Sequence, residues 1–122
     1  MQLSDKKKFL NMIEEGIFDF DLLVKCIAKL NGKITRKCQN VQHAKALLDW
    51  AGHEAFYEES KEELSELISY RKPILDILMK SYHISLDELK TRTKEINYDD
   101  LPTYAMIASV RKRILSGVFI CV

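Results

Sequence analysis

Apolar residues recur every three or four positions through most of the chain, and this spacing places them on one face of an α-helix. The pattern predicts a first helix over residues 4–15, which Gly16 would end. Asp19 is a favourable N-terminal cap for a second helix, and the Asn31-Gly32 pair predicts where that helix stops. A third helix is predicted from Thr35 to the glycine at position 52.

Capping signals and a proline divide the next part of the chain. Ser60 and Glu63 have the spacing of a capping box, in which each side chain bonds the other residue's main-chain N–H, and they predict a fourth helix. The preceding residues 54–57 are compatible with a separate helical turn. Pro73 suits the first position of a fifth helix that reaches residue 81, because that position needs no N–H donor.

Capping residues and a glycine also delimit the helices predicted in the last part of the chain. A second capping box, Ser85 to Glu88, predicts a sixth helix over residues 85–94. A polar loop follows, and Asp100 is a candidate cap for a last helix that Gly117 would end. The apolar tail, residues 118–122, is expected to dock on the bundle or on a second subunit.

Together these signals predict an all-α fold, a compact bundle of six to seven short helices. The 122 residues suit one domain, and the 4 glycines and 2 prolines favour helices with short connections over many strands and turns. Within it we distinguish the N-terminal helices with the basic block (1–52), an acidic helix (53–72), a helix-turn-helix-like part (73–117) and the tail (118–122).

The order of the charged residues along the chain is more informative about function than the net charge of +1. A basic block is followed by an acidic block, which makes the molecule electrostatically two-faced. The basic block comprises Lys25, Lys29, Lys33, Arg36, Lys37 and Lys45; the acidic block comprises Asp49, Glu54, Glu58, Glu59, Glu62, Glu63 and Glu66. Three interpretations stay open: the blocks attract each other within the fold, the basic block contacts phosphates, or it docks a charged protein partner.

Aromatic residues add candidate anchors for a partner, since exposed tryptophan and phenylalanine often dominate the binding energy of an interface. Trp50 and Phe56 fit either this role or packing at helix ends. The candidate partner-binding residues are therefore Lys29, Lys33, Arg36, Lys37, Trp50 and Phe56.

Candidate chemistry is sparse. Cys38 and His43 are the nearest approach to a metal pair or a nucleophilic dyad, but zinc sites need four ligands and a five-residue offset points two helical side chains apart. The glutamates at residues 58–63 fit a solvated helix face better than an acid–base pair. We expect no enzymatic activity, no metal and no cofactor.

The chain also carries signals of its compartment. Its three cysteines, at positions 26, 38 and 121, form no paired spacing and suit free thiols in a reducing environment. No apolar run approaches the roughly 20 residues of a membrane span. We expect a cytoplasmic protein, or one that works in a host's cytoplasm, without a membrane partner.

The segment from Ile74 to Lys94 resembles the first two helices of the C-terminal DNA-binding domain of the bacterial replication initiator DnaA. The shared pattern is an apolar helix, then Tyr82-x-Ile-Ser, then Asp87-x-Leu-Lys, then basic residues. The resemblance extends over residues 74–114, about a third of the chain, and lacks that family's base-reading signature Gly-Arg-Asp-His-Thr-Thr-Val. It implies a helix-turn-helix whose candidate nucleic-acid-binding residues are Lys90, Arg92, Lys94, Arg111 and Arg113.

Two functional hypotheses follow. The first is a small non-enzymatic regulator or inhibitor, of the kind that a phage or mobile element encodes, which binds a protein partner and could form homo-oligomers through its tail. The alternative is a DNA-binding regulator that uses the helix-turn-helix of the resemblance.

Overall fold

The computed structural model describes residues 3–48, 53–97 and 101–122, with side chains from residue 6 onwards. This part of the chain holds five helices and one pair of short strands. In chain order they are α1 (Leu3–Glu15), β1 (Ile17–Phe18), α2 (Phe20–Ala46), α3 (Glu54–Ser81), α4 (Leu86–Lys94), α5 (Tyr104–Ser116) and β2 (Ile120–Cys121). The helical class of the fold is confirmed, whereas the predicted number of six to seven helices is wrong.

The predicted break at Asn31-Gly32 is wrong, since α2 continues through both residues. Glycine in a helix interior costs about 1 kcal/mol relative to alanine. Buried Leu30 and Ile34 flank the glycine and pack in the core, and burial of one such side chain contributes about 1.5–3 kcal/mol. Tertiary packing therefore outweighs the local signal, and the second and third predicted helices are one helix. It ends at Ala46, and the predicted stop at Gly52 lies outside the described residues.

The predicted helix starts at Ser60 and Pro73 are also wrong, because both residues lie inside α3. Ser60 is buried rather than exposed as a cap. Pro73 removes one main-chain hydrogen bond from the helix and is unfavourable there by roughly 3 kcal/mol. The fully buried Ile74 and Leu78 follow it on the face that packs in the core, and their burial offsets that cost.

Other predicted helix ends are confirmed. Gly16 and Gly117 follow α1 and α5 with left-handed φ angles of 72° and 74°, which glycine adopts without strain. Asp19 caps α2 by accepting from the N–H of Leu22 at 2.8 Å. Ser85 caps α4 as expected. The cap of α5 is Thr103 rather than Asp100, which lies outside the described residues.

The two long helices α2 and α3 form an antiparallel hairpin with the largest interface of the fold. Their direction is visible from three contacts along the pair: Phe20 with Tyr82, Asn31 with Arg71, and Lys37 with Glu63. From the first contact to the last, the residue number increases on α2 and decreases on α3, so the two helices run in opposite directions. Each helix is about 40 Å long at 1.5 Å per residue, so the hairpin spans the whole bundle.

The remaining helices pack on this hairpin from different sides. The small helix α4 contacts α2, and α5 contacts α3 and α1. The core lies where these elements meet, and its largest fully buried side chains are Phe18, Leu22, Leu23, Ile27, Leu30, Ile74, Leu78, Ile107 and Val110.

The apolar tail docks on the bundle through a parallel strand pair. This is one of the two positions predicted for it, the other being a second subunit. Ile17 pairs with Ile120 and Phe18 with Cys121, and the rings of Phe18 and Phe119 stack at 5.9 Å. The Tyr82 hydroxyl donates to the main-chain oxygen of Val122 at 2.7 Å. The tail is therefore held to both the N-terminal strand and the end of α3.

We expect Gly32→Ala to raise the free energy of unfolding by about 1 kcal/mol, because alanine is the better helix former. A Cβ at this position would meet no atom within 4 Å, so the gain should not be offset by a clash. Denaturant unfolding followed by circular dichroism measures it. A loss of stability would show that the α2 backbone is packed more tightly at Gly32 than described.

We expect Tyr82→Phe to lower the free energy of unfolding by about 1 kcal/mol, the usual net value of one hydrogen bond. The loss should be local, because the hydroxyl bonds the tail at Val122. Amide hydrogen exchange should therefore speed up at Ile120 and Val122, whose N–H groups donate to the main-chain oxygens of Gly16 and Phe18. Exchange that changes equally throughout the chain would contradict a local role.

Candidate functional site

A tight turn after α3 determines where α4 lies. His83 has a left-handed φ of 54°, and the next N–H, of Ile84, donates to the carbonyl of Leu78 at 3.3 Å. This bond closes the C-terminus of α3 and buries Ile84. The chain then enters α4, which packs on α2 through buried Leu89. As a result, α4 stands beside the long hairpin and leaves a groove between them.

This α2–α3–α4 groove is open to solvent and encloses about 650 Å³. Aliphatic side chains from all three helices form its floor, and polar groups surround them. The apolar lining is Ile27, Ala28, Gly32, Ile34, Leu75, Leu86 and Leu89; the polar lining is Asn31, Thr35, Arg71, Lys90, Thr93 and Lys94. Among the apolar lining residues, Ile27, Ile34 and Leu89 are buried, whereas Leu86 is 57% exposed and Leu75 is half-buried, so part of the apolar lining is in contact with water.

The charges of the groove all have one sign. Arg71 enters from α3, and its Nη1 donates to the Asn31 side-chain oxygen at 2.9 Å, which fixes the guanidinium beside α2. Lys90 and Lys94 are exposed and lie one helical turn apart on α4. No carboxylate occurs among the described residues that line the groove. An anionic group that enters it would meet three cations above an apolar floor.

The smallest residues of the floor lie on α2. Ala28 and Gly32 are four residues apart, so they lie on the same helical face, and both line the groove. Since nothing lies within 4 Å of the place where a Cβ of Gly32 would be, the helix backbone is accessible there. Small side chains at this spacing allow a second helix to approach the backbone closely.

A second groove, between α2, α3 and α5, differs in its charge. It encloses about 400 Å³, and its lining includes Lys33, Lys37, Glu63 and Glu66. Lys37 donates a hydrogen bond to the Glu63 carboxylate. Because cations and carboxylates are present together, they compensate each other within the chain.

The basic block predicted from the sequence is thus partly engaged inside the fold. The ammonium groups of Lys29 and Lys33 lie 4.9 and 4.2 Å from the centre of the Tyr104 ring on α5. Lys37 pairs with Glu63 of the acidic block. This is one contact of the kind expected if the two blocks attract each other within the fold. Arg36 is exposed.

The two predicted aromatic anchors have different outcomes. Phe56 lies in the first turn of α3 and is 43% exposed, so it is accessible to a partner. Trp50 lies outside the described residues.

Of the five predicted nucleic-acid-binding residues, two line the α2–α3–α4 groove and three have contacts elsewhere in the fold. Lys90 and Lys94 line the α2–α3–α4 groove. Arg92 donates to Glu88 at 3.3 Å and its guanidinium lies 5.3 Å from the centre of the Phe20 ring.

Both arginines of α5 bind elsewhere in the fold. The Arg111 guanidinium lies 4.6 Å from the centre of the Tyr70 ring, and Arg113 donates to the main-chain oxygen of Glu14 at the end of α1. These two side chains hold α5 to α3 and α1. They do not line the groove that Lys90 and Lys94 share.

Candidate reactive groups are dispersed. Among the described residues, no group of three or more histidine, cysteine or acidic side chains has the geometry of a metal site. Cys26 is fully buried in the core, as its place in an apolar stripe predicts, and this burial raises the pKa of its thiol to about 12. Cys38 is half-buried and His43 exposed. Lys61 is paired with Glu58, and their hydrogen bond raises the pKa of the lysine.

The sequence does not predict the groove, because the Asn31-Gly32 pair at its centre is typical of a helix end. The Asn31-Gly32 pair supplies the glycine of the floor and the amide that positions Arg71. The spacing of Ala28 and Gly32 would have been informative only if the helix had been predicted to continue. Arg71 stands next to Pro73, where a helix boundary was predicted, and carried no other signal.

Comparison with protein-family models, curated proteins and solved structures found no match to this chain. None of the helices in the described residues combines the length and the hydropathy that a membrane crossing requires. The inference of function rests on the geometry above.

We expect Cys26 to resist alkylation in the folded protein. Its side chain is inaccessible, and with a pKa near 12 only about one thiol in ten thousand is ionised at pH 8. Half-buried Cys121 should react much faster, even though burial also raises its pKa. Mass spectrometry after iodoacetamide treatment distinguishes the sites, with the denatured chain as the control in which all three react. Equal labelling of Cys26 and Cys121 in the folded chain would contradict the described core.

Proposed function

We propose that this protein acts without catalysis, by binding a partner protein in the α2–α3–α4 groove. The observation that carries the proposal is the exposed Leu86 beside an apolar floor and three cations, with no carboxylate among the described lining residues. Protein interfaces combine these features, since an apolar centre supplies most of the affinity and the charged rim selects and orients the partner. A small regulator or inhibitor, such as one encoded by a phage or mobile element, would work in this way.

The composition of the groove favours a protein over a nucleic acid. Most contacts of DNA-binding proteins go to phosphates, and affinity depends on neutralising several of them. The groove offers three cations, and its floor consists of aliphatic side chains that have no counterpart on a duplex backbone. The aliphatic floor would be buried by apolar side chains of a protein.

A DNA-binding regulator is the second candidate. It is supported by the exposure of Lys90 and Lys94 on α4, the segment whose sequence resembles the DnaA domain. A titration with duplex DNA at low and moderate salt tests it, because phosphate contacts make affinity fall steeply with salt. Absence of binding at low salt would eliminate this candidate.

The primary proposal predicts site-specific crosslinking to a partner. A photo-reactive amino acid is placed at Leu86, and its matched control is placed at Leu10, which is 47% exposed on α1 and lies outside the groove. In cells that express the chain naturally, we expect one protein adduct from position 86 and none from position 10. Lys90→Glu with Lys94→Glu should abolish this adduct, since the charge of the rim would be reversed.

Two results would overturn the proposal. One is an adduct of the same protein from both positions, because the groove would then confer no selectivity. The other is an adduct at position 86 that persists after the charge reversal.

A further inference from the structure

We infer that the segment bound in the groove is an acidic amphipathic helix that crosses α2 at Gly32. This inference rests on the proposed function and goes beyond it by naming the secondary structure and the charge of the partner segment. Three properties of the groove carry it: the type of backbone that surrounds it, the sign of its charge, and the position of its glycine.

The surrounding backbone favours a helical ligand over an extended one. The groove is lined by residues of three helices, whose main-chain N–H and C=O groups bond within each helix. Its walls therefore offer no strand edge that an extended peptide could pair with. A helical ligand satisfies its own main-chain hydrogen bonds and needs only side-chain contacts. Its apolar face, with residues at intervals of three and four, would pack on exposed Leu86 and half-buried Leu75.

The charge of the groove selects an acidic helix. Lys90 and Lys94 are spaced by one turn, so two carboxylates spaced by one turn on an adjacent helix can each meet one ammonium group. Arg71, held by Asn31, lies on the α3 side of the groove and would receive a third carboxylate. A basic helix would place like charges together above an apolar floor, which is strongly unfavourable.

Gly32 indicates where the helices would cross. The free fold does not require a glycine there, since a Cβ would touch nothing and the residue lies in an ordinary helical segment. Glycine weakens the helix in the free chain. A partner helix lying across Ala28 and Gly32 would use the space that a larger side chain would fill. The same substitution that strengthens the helix should then weaken binding.

The test uses synthetic peptides of about 18 residues, roughly 27 Å as helices. The acidic peptide has leucines at intervals of three and four and glutamates at the flanking positions. The basic peptide replaces each glutamate by lysine, and a scrambled peptide keeps the acidic composition without an apolar face. Binding to the full chain is measured by fluorescence anisotropy at moderate salt, and helix formation by circular dichroism.

We expect the acidic peptide to bind and gain helicity, and the basic and scrambled peptides to bind at least tenfold more weakly. Gly32→Ala should weaken binding about tenfold although it stabilises the fold, and Asn11→Ala, at an exposed position on α1 away from the groove, should leave binding unchanged. Lys90→Glu with Lys94→Glu should also weaken binding at least tenfold. Lys112→Glu, a charge reversal at an exposed position on α5 away from the groove, should change it less than twofold.

The inference would be overturned if the basic peptide bound as well as the acidic one, if the scrambled peptide bound equally well, or if Gly32→Ala left binding intact. None of these outcomes contradicts the proposed function, provided that the crosslink at Leu86 still depends on Lys90 and Lys94. Sequencing the crosslinked segment separates the cases: an acidic amphipathic helix supports the inference, and a basic, extended or nucleic-acid ligand contradicts it. Loss of the selective crosslink itself refutes the proposed function.

Discussion

The antiparallel packing of α2 on α3 is the constraint on which the other elements of this fold depend. The two helices are held together by buried aliphatic residues such as Leu30 and Ile74, and by polar contacts along their length, including Asn31 with Arg71. Burial of this apolar surface is the dominant favourable term in folding. It explains how α2 tolerates Gly32 and α3 tolerates Pro73, and it provides the surface on which α4 and α5 pack.

The same hairpin divides the charged residues into two environments. On the side of α5, the lysines of the basic block face Tyr104 and the carboxylates of α3, so their charge is compensated within the chain. On the side of α4, Arg71, Lys90 and Lys94 surround an apolar floor that contains no described carboxylate. Three cations and the exposed Leu86 thus lie in one groove without a described lining carboxylate, and this arrangement is the physical basis of the proposed binding function.

The candidate site was only partly predictable. Lys90 and Lys94 were identified through the resemblance of their segment to a DNA-binding domain, whereas Arg71 and Gly32 were not identified as site residues. The reason is that the groove is lined by residues of three helices, from position 27 to position 94, and no local pattern indicates that α4 folds back onto α2. The turn that leads into α4 depends on a left-handed φ at His83. Such a φ is uncommon for a residue other than glycine, so the sequence does not predict this turn.

Local signals predicted the helical class, the capped starts of α2 and α4, the glycine ends of α1 and α5, and the burial of Cys26, because each depends on neighbouring residues or on periodicity within one helix. Long-range packing, which no local signal reveals, keeps Asn31-Gly32 and Pro73 inside helices, places Lys29 and Lys33 against Tyr104, and brings Arg71 to the lysines of α4. Helix continuity at a weak position depends on the burial of its neighbours against a distant element. The sum of those contacts exceeds the local penalty of about 1 to 3 kcal/mol.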